Sequence, residues 1–278
     1  MDVQAALDAI ADQAANGDLV FPATAEAAMR VQRILDNPDS SIDQLSKVIA
    51  SDPLLCARIV GVANSVAYNP SGRATSDVRS AVSRLGFKTL RTLATSVVVR
   101  QMQGLPQHPE SRALASQLWE HTTHVAALAR VIAKHITRQD PEAAFFAGIV
   151  HEVGSFYLLA QADKFPVLLH ADPDSWFGEG EARVGRAVLH TMGIPANILE
   201  ALEVFWKGYL SMPAESLGDT LLLADQLAPV ESPLAELTGV SRHGASFDID
   251  LMIGDEMLHT ILTDSAAEVA SLAAALNA

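Results

Sequence analysis

Apolar side chains recur at three- and four-residue spacing over nearly the whole chain, and no stretch of useful length alternates apolar with polar. A period near 3.6 buries one stripe of a helix, whereas a half-buried strand needs a period of two. The expected fold class is therefore all-α, a helical bundle. Val3, Leu7, Ile10 and Ala14 form an amphipathic stripe that stops at Gly17. After Phe21-Pro22 a second helix carries Met29, Val31, Ile34 and Leu35, and Asn37-Pro38 ends it. Ser41 and Gln44 stand at capping-box spacing in a third, which bears Ile42, Leu45, Val48 and Ile49. Asp52-Pro53 reads as an N-cap followed by proline at the first helical position, opening a helix from Pro53 to about Asn64.

Beyond a polar loop at 68–76, helices are expected up to Leu85-Gly86, from Phe87 to about 103, over 111–137, and from Pro141 through the stretch AGIVHEVG at 147–154. Further helices are expected over 155–163, 181–192, 195–208 and 217–228, with an alanine-rich one from about 255 to the end. Segments 171–180 and 231–248 are the least regular. Residues 104–110, GLPQHPE, hold two prolines and a glycine and mark the best boundary. It separates an N-terminal sub-bundle, 1–103, from a second helical subdomain, 111–278, and a hinge there would be a reasonable place for a switch.

With 49% hydrophobic and 19% charged residues, the 278-residue chain can fill one large core or two modest ones. A formal charge of −14 repels phosphate backbones and speaks against general nucleic-acid binding. The single cysteine, Cys56, excludes a disulfide framework and a cysteine-based zinc cluster, and fits a reducing compartment. The first residues, MDVQAALDAIADQAANG, place acids where a signal peptide needs bases. No apolar run reaches the ~18 residues of a span, so a cytoplasmic protein without membrane insertion is expected. Charge departs from the average once: between Arg73 and Arg100 there are six bases and one acid, Asp77. Such a segment is either a solvated helix face or a dock for an anionic ligand or partner, with Lys88 and Arg91 as the candidate contacts.

Several chemistries are absent. There is no P-loop and no G-x-S-x-G elbow, and FGEGEARVG at 177–185 has Arg183 where a dinucleotide fingerprint needs its third glycine. The pair His151-Glu152 fails as a zinc-protease motif because position 155 is Ser155. His121, His124 and His135 share a stripe of one long helix, a pattern met more often at core edges than in ligand sets.

Three stretches of the first half, LVFPATAEAAMRVQRIL, LSKVIASDPLLCARIVGVANSVAYN and AVSRLGFKTLRTL, resemble an HDOD domain, the non-catalytic relative of the HD phosphohydrolases. LWEHTTHVAALARVIAK, EAAFFAGIVHEVGSFYLL, IPANILEALEVFWKG and TLLLADQLAPV resemble the HD-related second half, so the likeness runs over about 19–230. It implies a regulatory protein of bacterial signal transduction, acting through protein or ligand binding, with two-component or cyclic-di-GMP pathway components as partners. Asn64 and Ser65 lie in its most specific motif and could meet a partner; local hydrogen bonds that end the helix explain them more simply. The resemblance also carries the metal ligands of catalytic HD enzymes onto His121, His151, Glu152 and Asp225. Glu152 stands where those enzymes have Asp, one methylene longer, and Phe205-Trp206 replaces a histidine pair. The expected outcome is a degenerate pocket without a cofactor, in which His151 and Asp225 bond each other and His121 completes the network. One divalent ion, Fe, Mn, Zn or Ni, suits the same donors. The rival activity is metal-dependent phosphohydrolysis of nucleotides or cyclic dinucleotides.

Overall fold

The computed structural model describes residues 2–19, 25–170, 179–211, 213–234 and 255–277. Local capping chemistry sets several of the helix starts. Asp2 caps α1 (Val3–Ala15), and Ser41 with Gln44 forms the capping box of α3 (Ile42–Ala50), which follows α2 (Glu26–Leu35). Asp52 and Pro53 open α4 (Pro53–Asn64), and Asp77 opens α5 (Val78–Met102). Within α5, Gly86 has φ 73°, which breaks the helix where the sequence places an end and a new start. The long helix α6 (Pro109–Ile132) finishes in a π turn, Ala133–Thr137. Then come α7 (Pro141–Val150), α8 (Val153–Gln161) and a short α9 (Val167–His170) that sequence periodicity does not announce. The chain continues with α10 (Glu179–Thr191), α11 (Ala196–Lys207), α12 (Leu217–Gln226) and α13 (Asp255–Asn277). Among the described residues there is no strand. Of the segments expected to be least regular, 171–180 and 231–248, residues 171–178 and 235–248 lie outside the described ones.

One apolar cluster runs from Leu7 and Ile10 of α1 through Leu90 and Leu93 of α5 to Leu222 of α12 and Leu276 of α13. The two ends of the chain cross the expected boundary. Helix α1 packs against α10 of the second half, and α13 lies on both α6 and α4. A polar cluster bridges the halves as well: Tyr68 Oη and Thr89 Oγ1 each donate to Glu142 at 2.7 Å, and Arg130 pairs with Glu142 and Glu268. Burial and the Glu142 carboxylate push the Tyr68 phenol well above its ordinary pKa. Residues 104–110 therefore join two parts of one packed unit. Against the sequence expectation that no apolar run reaches span length, Pro141–Gln161 is long and apolar enough to cross a membrane by composition; 89% of its most apolar window is buried inside the bundle. Its apolarity makes the centre of the core.

Candidate functional site

The pocket is assembled by α6, α7, α8 and α12. His121 stands mid-way along α6, one face of which is buried from Leu118 to Ala129. His151 is the C-cap of α7 and Glu152 the N-cap of α8. Asp225 comes from the last turn of α12, whose own start is fixed by a capping box of Ser216 and Asp219. The four residues that the resemblance singled out thus meet, across more than a hundred positions of sequence.

Two close helix approaches set the geometry. A Cβ on Gly148 of α7 would come within 2.4 Å of the Ala126 Cα of α6, so only glycine lets these helices lie so near. A Cβ on Gly154 of α8 would meet the Glu181 carbonyl of α10 at 2.4 Å. The first contact places His151 beside His121, with ring centroids 5.5 Å apart. The second brings Glu181 to Ser155, whose hydroxyl lies 2.7 Å from Glu181 Oε1 and 3.0 Å from Glu152 Oε2.

Hydrogen bonds then orient each ring. His151 Nδ1 lies 2.8 Å from the Gly148 carbonyl and His121 Nδ1 lies 2.8 Å from the Val230 carbonyl. A carbonyl only accepts, so both Nδ1 atoms carry hydrogen in these bonds and both Nε2 atoms face inward. His121 Nε2 lies 2.9 Å from Asp225 Oδ1. His151 Nε2 lies 3.9 Å from the same oxygen and 4.0 Å from Glu152 Oε1. Asp225 thus bonds His121, where the sequence reading expected His151. Burial pulls the His121 pKa down, but the hydrogen bond and charge of Asp225, the Val230 carbonyl and the Glu152 charge outweigh it. The ring ends above the ordinary imidazole value.

The centre of the pocket is rich in acceptors: two imidazole nitrogens and two carboxylates converge with no cationic side chain among them. Such a set calls for a proton or a metal ion. Ligand atoms of His121, His151 and Glu152 lie within 4.8 Å of one another, and Asp225 closes the fourth side. Metal bonds of ~2.1 Å at tetrahedral or octahedral angles need donors roughly 3–3.5 Å apart, whereas the measured pairs run from 2.9 to 4.0 Å and the histidine–glutamate set spreads over as much as 4.8 Å. The donor types suit one divalent ion, which would have to draw the farther donors inward. Access is another matter. His151 is 0% exposed, His121 and Glu152 are 1%, and the Phe205 ring meets His151 edge-on at 5.2 Å.

Of the other candidates, His124 turns outward and hydrogen-bonds the Glu120 carbonyl of its own helix, and His135 falls in the π turn away from the pocket. Asn64 clamps the following loop, with its amide bonded to both the N–H and the carbonyl of Thr75 at 2.8 and 2.7 Å. Ser65 is buried and donates to the Val62 carbonyl. Five of the six bases of the basic run are engaged within the fold. Arg79 pairs with Asp43, Lys88 with Asp140 at 3.0 Å and Arg91 with Asp36 at 2.7 Å. Arg84 donates to the Ala63 and Arg73 carbonyls, and Arg100 to those of Leu276 and Asn277 at the end of α13. Glu181 and Ser155 were not foreseen as pocket residues; a lone acid on the apolar face of α10 was the signal for the first.

The fold matches solved structures over nearly its full length. A provisionally named metal-dependent phosphohydrolase from Shewanella amazonensis SB2B superposes with a TM-score of 0.71 at 24% identity, covering 98% of each chain. An HDOD domain protein of unknown function from Geobacter sulfurreducens gives 0.59 at 22%, covering 99% of this chain and 98% of that one. At these identities the likeness shows the fold alone. A curated relative, an uncharacterized protein of Treponema pallidum (strain Nichols), is 21% identical over 194 residues, 66% of this chain, and the match spans 37% of that relative's length. The family profile described as HDOD domain matches residues 21–206. That span is well over half of the sequence, and it holds α2 to α11 with both histidines of the pocket: the chain belongs to the HDOD domain family.

Proposed function

We propose that this HDOD protein is a regulatory component of bacterial signal transduction that acts in the cytoplasm by binding, and that its histidine–carboxylate pocket serves the fold rather than turnover. The observation that carries this reading is the burial of the pocket. A hydrolytic metal centre keeps one coordination position open to water and substrate. Here the three ligating side chains of His121, His151 and Glu152 are at most 1% exposed and Phe205 packs against the nearer ring. Glu152 is also held by Ser155, which ties its carboxylate to α8 and α10. The output then falls to surfaces that meet other proteins, for which two-component and cyclic-di-GMP pathway proteins are the candidates.

The acceptor-rich centre supports a second reading, a metal-dependent phosphohydrolase acting on nucleotides or cyclic dinucleotides. His121, His151, Glu152 and Asp225 would hold the ion, and the ion would supply Lewis acidity and a water of lowered pKa. One experiment separates the two: metal content of protein purified without chelator or affinity metal, followed by a phosphoester panel with added Mn and Fe, on wild type and His151→Ala. Binding without turnover is the expected class of result, with hydrolysis no faster in wild type than in the variant. Hydrolysis that His151→Ala abolishes would overturn the proposal.

A further inference from the structure

Five of the six cations between Arg73 and Arg100 are engaged within the fold, yet three others are left without ion pairs where α2 meets α3. Arg30 and Arg33 stand one turn apart on α2, and Lys47 faces them from α3; all three are exposed and none forms an ion pair among the described residues. They line a single groove of about 560 Å³ whose apolar lining is Ile34 and Val48. The groove is shallow and open to solvent, so a ligand there would be held on one side only.

Two of the surrounding acids are engaged elsewhere. Asp36, at the end of α2, is tied to Arg91 of α5, and Asp43, in the first turn of α3, is tied to Arg79 of α5. The basic run of α5 thus engages one acid beside each groove helix, while Asp39, in the turn between them, forms no ion pair among the described residues. Glu26, one turn from Arg30, makes no ion pair with it.

The two amides of the groove have been sorted the same way. Asn37 Oδ1 accepts from the Asp39 N–H at 3.0 Å, and Gln44 Oε1 accepts from the Ser41 N–H at 3.1 Å in the capping box. Each amide oxygen is thus turned to the backbone, and each NH₂ group is left to donate. The polar side chains of the lining then offer mainly donors: two guanidinium forks, one ammonium and two amide NH₂ groups. A site made mainly of donors over an apolar floor favours a ligand made of acceptors and carrying negative charge. Guanidinium forks match the paired oxygens of a phosphoryl group, and a lysine adds a point charge to the same oxygens.

We infer that the α2–α3 groove binds a small organic phosphate, with its phosphoryl groups on Arg30, Arg33 and Lys47 and its remaining body over Ile34 and Val48, edged by the Asn37 and Gln44 amides. The site is separate from the histidine pocket and does not depend on whether that pocket holds a metal. It gives a binding protein a ligand class, on a chain whose net charge otherwise repels phosphates.

The test is isothermal titration of the full chain with inorganic pyrophosphate, adenosine diphosphate and adenosine in a phosphate-free buffer. Pyrophosphate and the nucleotide should bind saturably at one site, and adenosine should not. Tighter binding of the nucleotide shows that the floor contributes; equal binding shows that the phosphoryl groups alone are read, and either result supports the site. Arg33→Ala and Lys47→Ala should each weaken binding by about tenfold or more, the loss of one charge-assisted contact, while Lys164→Ala, at an exposed cation far along the chain, should leave it unchanged. All three side chains are exposed, so circular dichroism and melting temperature should match wild type. The inference is overturned by an absence of saturable binding, by binding that survives the Arg33→Ala/Lys47→Ala double variant, or by equal loss in Lys164→Ala.

Discussion

Replacing Arg58 with methionine should make this protein more stable. Arg58 sits on the inner face of α4 with 0% of its surface exposed, and its Nε, Nη1 and Nη2 atoms have no hydrogen-bond partner among the described residues. A buried ion costs several kcal/mol even after relaxation, and that cost is recovered only through a partner. Methionine keeps an unbranched stem of similar reach and removes the charge, so the folded state should gain about 2 kcal/mol, toward the middle of the 1–4 kcal/mol measured when buried ionic groups give way to apolar ones. For a domain of this size about 2 kcal/mol corresponds to roughly 4–8 °C in melting temperature. Arg58→Lys is the control, since its ammonium keeps the charge and is more strongly hydrated, and it should lie below wild type. Urea unfolding at neutral pH, followed by circular dichroism, reads both. A methionine variant less stable than wild type by about 1 kcal/mol would refute the reasoning, because it would mean that the guanidinium has a partner in solution.

Two further perturbations probe the packing and the surface. Gly148→Ala should cost about 3 kcal/mol, because its Cβ would lie 2.4 Å from the Ala126 Cα and 2.9 Å from its nitrogen, backbone that cannot move aside; a melting temperature equal to wild type would show that α6 and α7 part easily. Glu203 is lowered below its ordinary 4.5 first by the hydrogen bond from Arg186, against some burial, with the charges of Arg186 and Lys207 adding. A lowered carboxyl stabilises the fold above its unfolded pKa and stops doing so as pH falls through its folded value. Between about pH 5.5 and 3.5 the urea midpoint of wild type should therefore fall more than that of Glu203→Gln, and parallel falls would remove the Arg186 pair from the account.

Helix starts were legible because they are written locally: Ser41, Asp52 and Asp77 each bond a backbone N–H three residues on, and Gly86 breaks α5 where its freedom at positive φ is needed. The pocket was legible only through motif order, since no spacing rule joins His121 to Asp225 across 104 residues. Pairing of charges was not legible at all. The six bases from Arg73 to Arg100 read as a patch in one dimension, while Asp36, Asp43 and Asp140, which answer three of them, come from three other helices. The groove that keeps its cations is visible only once those acids are seen to be taken. Similarly, the order of partners inside the pocket turned on ring orientation, which the Val230 and Gly148 carbonyls decide.

Gly148 serves two ends at once: its missing side chain admits α6, and its carbonyl turns the His151 ring. Any drift that loosened the helix contact would also swing the histidine, and any change of the histidine would strand a buried carbonyl in the core. The glycine and the histidine are therefore coupled through packing alone, and neither can be altered without disturbing the other.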